Sequence, residues 1–186
     1  RIDGQAAGPE TRYYTPFQGI IQRIMPNSEV CGEGQFDTGR PDFRIYTHGD
    51  APQTERLSCL IEAKSHNTDL LNLIQNDHAN RNQLRNYLRE ICPNLILTNY
   101  WEYIWLNLDE DNITIVGGQD NIHRIAPTQE DFWGLINEGE LAIQQAHTDL
   151  QEWFEPIGNL EATLDISRTG IINSLMNVYR SVSVNF

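Results

Sequence analysis

The only lysine in this 186-residue sequence stands beside a carboxylate. Lys64 follows Glu62 by two positions in the run LIEAK, and Asp42 lies upstream in a Pro-Asp dipeptide, while the other twelve of the 13 basic residues are arginines. Arginine stays protonated, whereas lysine carries a compact ammonium whose pKa shifts readily in crowded or buried surroundings. A single ammonium kept next to a carboxylate therefore indicates a reactive site that a guanidinium would not serve.

Asp42 and Glu62 offer two carboxylates to a hard divalent cation, and the backbone carbonyl of Ala63 offers a further oxygen. Mg²⁺ prefers such oxygen ligands, and Mn²⁺ accepts them as well. Lys64 would lie beside the cation, where it orients an attacking water or stabilises developing charge. Hydrolysis of a phosphodiester needs a cation held by carboxylates, an activated water and stabilisation of the leaving oxygen. The residue types and their order fit that reaction.

Two adjacent strands are needed to bring these groups together. Residues 43–46 and 57–64 have the composition of strands, and the polar residues 47–56 between them predict a long hairpin-like connection. On the second strand the side-chain period of two puts Glu62 and Lys64 on the same face and Ala63 on the opposite one. The nineteen residues between Asp42 and Glu62 therefore need not separate them in space.

The chain up to residue 126 alternates helical and strand patterns. Apolar spacing and turn residues predict a helix at 15–25, a short strand at 29–31, a helix at 69–92 that is interrupted near 76–80, and strands at 94–99, 101–108 and 113–116. This order predicts an α/β or α+β core in which helices flank a central sheet.

After Pro127 the pattern becomes helical throughout. One amphipathic stripe runs from Phe132 to Trp153 and predicts a helix that ends before Pro156, and a second helical region covers about 159–180. We therefore expect a core at 1–126 and a helical extension or connector at 127–186. The four tryptophans of the chain are interpreted as core residues.

Composition limits the class of protein. A 39% share of hydrophobic residues allows one substantial core, and the three separated cysteines are interpreted as free thiols. No apolar run approaches the roughly 20 residues that cross a bilayer, and no signal-peptide pattern opens the sequence, so we expect a cytoplasmic protein without membrane partners. The net charge of -13 argues against an ordinary nucleic-acid binder. An initial Arg1 in place of methionine is typical of a processed chain or a piece of a longer polypeptide.

Residues 41–64 resemble the motif of the PD-(D/E)xK nuclease superfamily, with Pro-Asp at 41–42 and Glu-Ala-Lys at 62–64. Gln83 and Tyr87, on the helix that follows, resemble the QxxxY motif of RecB-like nucleases. The run PNLILTNYWEY at 93–103 is similar to the N-terminal nuclease domain of type IIG and type ISP restriction-modification enzymes. The resemblance covers about residues 10–108, a little over half of the chain.

The resemblance implies a restriction-endonuclease-like core with a central mixed sheet, and a Mg²⁺-dependent endodeoxyribonuclease that cleaves DNA within a restriction-modification enzyme. It implies linked or associated methyltransferase and specificity domains as partners. For Gln83 and Tyr87 the resemblance implies that they support the metal site and contact nucleic acid. An acid on the first helix often completes such a site; Glu10 is the candidate, with Glu29 and Glu33 as alternatives.

Five arginines are candidates for contacts with the DNA backbone if the site is active: Arg40, Arg44, Arg81, Arg85 and Arg89. The last three recur every four residues along one flank of the predicted helix. The plainer interpretation of these three is a solvated helix flank.

Other functions stay open as well. The plainer interpretation of Glu62 and Lys64 is an exposed ion pair on an edge strand, which contributes little to stability. A stand-alone DNA repair or recombination nuclease would carry the same site. A catalytically silent nuclease-like fold that serves as an interaction module would also fit the acidic composition.

Overall fold

The computed structural model describes residues 13–32, 36, 38–48, 55–138 and 140–160. These residues form five α-helices, one short 3-10 helix and seven β-strands. In chain order the helices and strands are α1 (Tyr14–Ile24), β1 (Ser28–Gly32), β2 (Phe43–His48), β3 (Glu55–Ala63), α2 (Leu70–Asn76), α3 (His78–Glu90), β4 (Leu95–Thr98), β5 (Glu102–Asp109), β6 (Asn112–Ile115), the 3-10 helix (Gln119–Asn121), β7 (His123–Arg124), α4 (Gln129–Glu138) and α5 (Glu140–Gly158).

The seven strands form one sheet. Neighbouring strands run in the order β1-β2-β3-β4-β5-β6, and the two-residue β7 pairs with the start of β5. Every pair is antiparallel except β3 with β4, which is parallel. A parallel pair needs a crossover, and α2 with α3 supplies it. The predicted class, α/β with a central mixed sheet flanked by helices, is confirmed.

The side chains of β3 divide between two hydrophobic cores, one on each face of the sheet. On one face, α1 and α5 cover Ile61 and Ala63, and this α1/α5 core includes Phe154 of α5. On the other face, α2 and α3 cover Leu60, and this α2/α3 core includes Leu84 of α3. The alternation predicted for β3 is therefore confirmed, and the sheet lies between two helical layers.

A single residue separates α2 from α3. Asp77 has an extended backbone, and its side chain accepts hydrogen bonds from the backbone N–H groups of Ala79 and Asn80, both at 3.1 Å. An aspartate that accepts bonds from the first turn of a helix is a favourable N-cap. The break predicted near 76–80 is confirmed, and it lets α3 start in a new direction.

The C-terminal helices differ from the prediction in two ways. The apolar stripe from Phe132 to Trp153 is carried by two helices, α4 and α5, and α5 continues past Pro156 to Gly158. Proline in a helix removes one backbone hydrogen bond. Phe154 and Ile157 on either side of it are fully buried, and burial of two large apolar side chains outweighs the loss of that bond.

The last described helix is part of the core. Leu150, Phe154 and Ile157 of α5 are buried in the same cluster as Phe17 and Ile21 of α1. The helical character predicted after residue 127 is present up to Gly158, while the remainder of the second predicted helical region, from residue 161 on, lies outside the described residues. The boundary between 1–126 and 127–186 stays a prediction.

Among the described residues, no helix combines the length and the apolar character required to cross a membrane.

Candidate active site

The hairpin of β2 and β3 brings Asp42 to the end of β3. Its register pairs Phe43 with Ile61, so the next position outward sets Asp42 opposite Glu62. The Oδ2 atom of Asp42 accepts a hydrogen bond of 2.8 Å from the backbone N–H of Ala63. Both carboxylate residues therefore lie at one end of the sheet, although nineteen residues separate them in sequence.

Glu62 is buried and engages two polar partners. Its side chain is 5% exposed, and Oε1 accepts hydrogen bonds from Lys64 Nζ at 2.8 Å and from Gln83 Nε2 at 3.2 Å. The Lys64 side chain is 17% exposed, and β3 lies in the middle of the sheet between β2 and β4. The interpretation as an exposed pair on an edge strand is therefore wrong. Removing one partner of a buried ion pair typically costs about 3–5 kcal/mol, because a desolvated charge is left behind.

Gln83 links Glu62 to Tyr87. The same Nε2 donates to the Tyr87 hydroxyl at 2.7 Å, as the helical spacing of four residues allows. The Tyr87 hydroxyl also accepts a hydrogen bond of 3.2 Å from the backbone N–H of Arg40. Next to it, Gly39 has a φ of 145°, and a Cβ at that position would lie 2.7 Å from Tyr87 Cε1, so glycine is required. The QxxxY pair thus ties the loop before β2 to the buried glutamate.

Tyr14 of α1 is a site residue that the sequence did not suggest. Its hydroxyl donates a hydrogen bond to Asp42 Oδ1, and its ring packs against Phe43 with centroids 5.1 Å apart. A signal was present in the sequence, since Tyr14 precedes Phe17 and Ile21 by three and seven positions and so belongs to the buried stripe of α1. A tyrosine on a buried face requires a partner for its hydroxyl.

Two tyrosines therefore flank the carboxylates as neutral hydroxyls. Burial raises the pKa of Tyr14, and its hydrogen bond to Asp42 raises the pKa further. Burial likewise raises the pKa of Tyr87; the hydrogen bond from Gln83 opposes this, and the charge of Glu62 adds to it. Neither tyrosine competes with the carboxylates as an anion.

The backbone fixes Lys64 at the end of the parallel strand pair. Its N–H donates to the carbonyl of Thr98 at 2.7 Å, beyond the last paired position of β3 and β4. The ammonium lies within electrostatic reach of the start of α3. There, hydrogen bonds from Asn80 are the main reason that the pKa of the Asp77 carboxyl is lowered, and the charge of Lys64 contributes.

The structure does not bring a third acid to the described site. Glu29 is exposed on β1, opposite Tyr46, and its carboxylate accepts a hydrogen bond from the Cys31 thiol. Glu10 and Glu33 lie outside the described residues. Within the described ranges, no three histidine, cysteine or acidic side chains are grouped so that they could hold a metal ion.

The candidate arginines before α3 have different surroundings. Arg44 lies over the rings of Phe36 and Tyr46, at 5.8 and 5.7 Å, and donates to the carbonyl of Gly32 at 3.4 Å. Its guanidinium therefore stabilises the β1–β2 hairpin. Arg40 is exposed at the loop whose backbone contacts the QxxxY pair, two positions before Asp42.

The three arginines of α3 lie on another side of that helix from Gln83. Arg85 is two residues, or about 200° of helical rotation, beyond Gln83. Arg85 donates to Asn82 at 2.7 Å, and Arg89 pairs with Asp111 in the turn between β5 and β6. Arg81, one turn before Arg85, belongs to the same stripe. The stripe therefore faces away from Gln83 on α3, and its contact with the DNA backbone stays a prediction.

The donor set fits Mg²⁺ or Mn²⁺ better than zinc. Asp42 and Glu62 provide carboxylates, and the carbonyl of Ala63 adjoins them at the end of β3. Mg²⁺ is commonly bound by one or two carboxylates and retains several waters, whereas zinc takes three or four nitrogen, sulfur or carboxylate ligands. The residues present suit a hard cation that keeps part of its water shell.

No family model matches the chain, and no curated protein does. Among solved structures, the chain is similar to the type IIG restriction endonuclease BpuSI, with a sequence identity of 12% and a TM-score of 0.48. The match covers 80% of this chain and 16% of that one, so the chain spans a small part of the length of the restriction endonuclease. At this identity the likeness concerns the fold alone.

Proposed function

We propose that this chain is a Mg²⁺-dependent endodeoxyribonuclease domain that hydrolyses phosphodiester bonds in DNA, as the cleavage module of a cytoplasmic restriction-modification enzyme. One observation supports the proposal most strongly. Asp42 and Glu62 lie at one end of two neighbouring strands, and the only lysine of the chain is bonded to Glu62. The resemblance of these residues to the PD-(D/E)xK motif agrees with that geometry.

Four residues would act at the reacting centre. Asp42, Glu62 and the carbonyl of Ala63 would hold the cation. When bound, the cation polarises the phosphoryl oxygens and lowers the pKa of a bound water. The Lys64 ammonium donates a hydrogen bond to the attacking water or to a phosphate oxygen, and its charge stabilises the negative charge that develops there.

Three further side chains position the carboxylates. Tyr14 holds Asp42 from the α1 side of the sheet, and Gln83 holds Glu62 from the α3 side. Tyr87 fixes Gln83 through its hydroxyl. Partners of this kind orient metal ligands, and their loss typically weakens metal affinity or activity about 10–100-fold.

The acidic composition of the chain determines how strongly this domain can bind DNA by itself. A net charge of -13 gives a domain little DNA affinity of its own, because nonspecific affinity comes from cationic side chains. A linked or associated methyltransferase or specificity domain that binds DNA would raise the local concentration of the substrate, to about millimolar values for short linkers. Weak intrinsic binding would also restrain cleavage away from the recognition site.

Substitution of the site residues tests the activity. Lys64→Ala and Asp42→Ala are each expected to lower Mg²⁺-dependent cleavage of plasmid DNA by roughly 10²–10³-fold or more, since each removes a group that acts at the reacting centre. Asp120→Ala, which removes an exposed carboxylate on the 3-10 helix, is the matched control and should retain full activity. Full activity of Lys64→Ala or Asp42→Ala would end the hypothesis.

Lys64→Arg separates chemistry from structure. It keeps the positive charge beside Glu62, so a purely structural lysine would tolerate it. If the compact ammonium acts on water or phosphate, the variant keeps its fold but loses cleavage, because a guanidinium is larger, planar and always protonated. Circular dichroism and thermal unfolding report the fold in the same samples.

A silent interaction module is the second candidate, and the net charge of -13 favours it. Titration calorimetry with Mg²⁺ and Mn²⁺ distinguishes the two. Heat of binding that disappears in Asp42→Ala supports the nuclease, whereas no heat with either ion supports the silent module.

A further inference from the structure

An open apolar groove lies between α1 and α4, on the α1/α5 face of the sheet. Six side chains that line it define what is called the α1/α4 groove below: Tyr13, Phe17, Ile20, Tyr100, Phe132 and Trp133. Its floor includes Tyr103 and Leu150, which are buried in the α1/α5 core. Its volume is about 270 Å³, which accommodates a few apolar side chains of a partner.

Large apolar side chains in this groove face solvent. Tyr13 is 45% exposed, Ile20 is 42% exposed and Trp133 is 46% exposed, so the interpretation of all tryptophans as core residues is wrong for Trp133. The apolar stripe of α5 that includes the buried Leu150 continues two turns earlier with Ile143, which is 50% exposed. Exposed apolar side chains that gather in one groove mark an interaction surface.

The helices that carry this surface are acidic. Residues 125–160, which contain α4 and α5, include seven acidic residues and neither lysine nor arginine. Six of these acids are exposed in the structure: Glu130, Asp131, Glu140, Asp149, Glu152 and Glu155. The other wall, α1, adds one basic residue, Arg23. The surface therefore attracts a cationic partner, and it repels both DNA phosphates and the same acidic surface of a second copy.

The wall formed by α1 has the length that a bound helix requires. Tyr13, Phe17 and Ile20 lie along one side of α1 over seven residues, or about 10 Å. An amphipathic helix that binds a groove through anchors at i, i+3, i+4 and i+7 covers the same length. Trp133 and Tyr13 are also of the residue types that carry much of the energy at protein interfaces.

We propose that the α1/α4 groove binds an amphipathic helix whose apolar stripe is flanked by lysines and arginines, and that this helix belongs to the DNA-binding partner of the nuclease. The identity of the partner rests on the proposed function, since a methyltransferase or specificity domain that binds DNA carries a basic surface. Glu62 shares its face of β3 with Leu60 and contacts Gln83 of α3, on the side of the sheet opposite the groove floor. A partner in the groove therefore does not occupy the side on which Glu62 and Lys64 would meet duplex DNA.

Binding of a designed peptide, measured without divalent cation, tests the groove apart from cleavage. The probe is a fluorescent, helix-forming peptide of about 20 residues, with leucines at i, i+3, i+4 and i+7 and with lysines and arginines on both flanks of that stripe. Two comparison peptides are a shuffled sequence of the same composition and a version with glutamates in place of the basic residues. At about 0.15 M salt, which screens exposed charges beyond roughly 8 Å, the full chain is expected to bind the probe about tenfold more tightly than either. Fluorescence anisotropy measures the three affinities.

Variants of the groove separate it from other apolar surface. Trp133→Ala is expected to weaken binding of the probe about tenfold, and Ile20→Ser about threefold, because each removes an apolar contact. Leu141→Ala is the matched control and should change nothing. Leu141 is 82% exposed and lies nine residues before Leu150, or about 180° around α5, so it faces away from the groove. All variants are made in the full chain, and thermal unfolding should be unchanged because the replaced side chains are exposed.

The outcomes distinguish this inference from the proposed function. Equal binding of the three peptides, or unchanged affinity in Trp133→Ala, overturns the docking site even if the chain cleaves DNA with Mg²⁺. A tenfold loss of peptide affinity in Trp133→Ala, in a chain that does not cleave DNA, supports the docking site and overturns the nuclease together with the identity given to the partner.

Other occupants of the groove give different results with the same variants. If Trp133→Ala lowers the oligomeric state in sedimentation, the groove binds a second copy of the chain. If Trp133→Ala weakens binding of duplex or single-stranded DNA, the groove is a DNA surface. The difference in fluorescence between wild type and Trp133→Phe reports on Trp133, and if acrylamide does not quench it in the free chain, residues of the same chain cover the groove. Each of these three results overturns the inference.

Discussion

The two faces of the sheet each supply one support for the candidate site, but they are built from different parts of the chain. The α2/α3 face is formed by consecutive elements between residues 60 and 106, and it delivers Gln83 to Glu62. The α1/α5 face joins elements from the two ends of the described chain, and it delivers Tyr14 to Asp42. Both supports are long-range contacts, since 21 positions separate Gln83 from Glu62 and 28 separate Tyr14 from Asp42.

The two faces also differ in which site residues sequence patterns can identify. On the α2/α3 face, a motif at a spacing of four residues identifies Gln83 and Tyr87 directly. On the α1/α5 face, Tyr14 contacts a residue 28 positions away, and α5 covers α1 from far along the chain. Helical spacing pairs Gln83 with Tyr87 because both lie on α3, and it places Tyr14 on the buried stripe of α1, but it does not identify Asp42 as the partner of Tyr14.

The largest expected effect concerns α5. Phe154 is fully buried in the α1/α5 core, so Phe154→Ala is expected to lower the free energy of unfolding by about 3–5 kcal/mol. Leu141→Ala on the same helix removes an exposed side chain and should change it by less than about 0.5 kcal/mol. Urea unfolding measures both. A small effect of Phe154→Ala would mean that α5 belongs to a separate extension and that the two faces are not equivalent parts of one core.

A smaller effect is expected from the two positioning contacts. Tyr14→Phe and Gln83→Leu each leave their carboxylate with another partner, the N–H of Ala63 or the Lys64 ammonium. Each is expected to raise the Mg²⁺ concentration needed for half-maximal cleavage about tenfold, the lower limit for loss of a group that orients a metal ligand.

Together, Tyr14→Phe and Gln83→Leu test whether both faces of the sheet support the cation site. Similar effects would mean that the two faces support the cation site equally. If Tyr14→Phe has no effect on the Mg²⁺ requirement, α1 merely covers the core, and the site depends on the α2/α3 face alone.

The smallest effect is a dependence of stability on pH that arises at the α1/α5 face. Burial lowers the pKa of His123, which packs against the rings of Tyr103 and Trp153, and its Nε2 has no hydrogen-bond partner among the described residues. As pH falls below about 6.5, the unfolded chain takes up this proton before the folded one, so stability is lost on acidification until the lower folded pKa is passed.

His123→Gln removes this titration, and thermal unfolding between pH 7.5 and roughly 5 measures it. The stability of wild type should fall more steeply toward low pH than that of the variant. Parallel curves would show that the burial of His123 has no energetic consequence.

The sequence predicted most of the sheet, and of the described residues that meet at the candidate site it missed only Tyr14. Alternation along β3, the break at Asp77 and the hairpin that returns to Glu62 all follow from local periods and turn residues. β7 could not be predicted, because two residues carry no period. The end of α5 was misplaced since local rules stop a helix at Pro156, whereas burial of Ile157 against α1 continues it.

The arginines illustrate the same limit at the site. Spacing groups Arg81, Arg85 and Arg89 and sets them on another side of α3 from Gln83. It does not show which partners they find, such as Asp111 for Arg89. Arg44 contacts the rings of Phe36 and Tyr46 and the carbonyl of Gly32, partners that the sequence did not suggest, and its contact with phosphate stays a prediction. Charge can be counted from a sequence, while the direction in which a charged side chain points is a tertiary property.

The position of α5 has a consequence for the newly made chain. The seven strands and α1 are complete once residue 124 has been added, but Leu150, Phe154 and Ile157 follow only with the last turns of α5. A ribosome that adds about 5–20 residues per second needs roughly 2–7 seconds for that interval. During that time α1 alone covers this face of the sheet, and the apolar area that α5 later buries is the surface that aggregation or a chaperone would meet first.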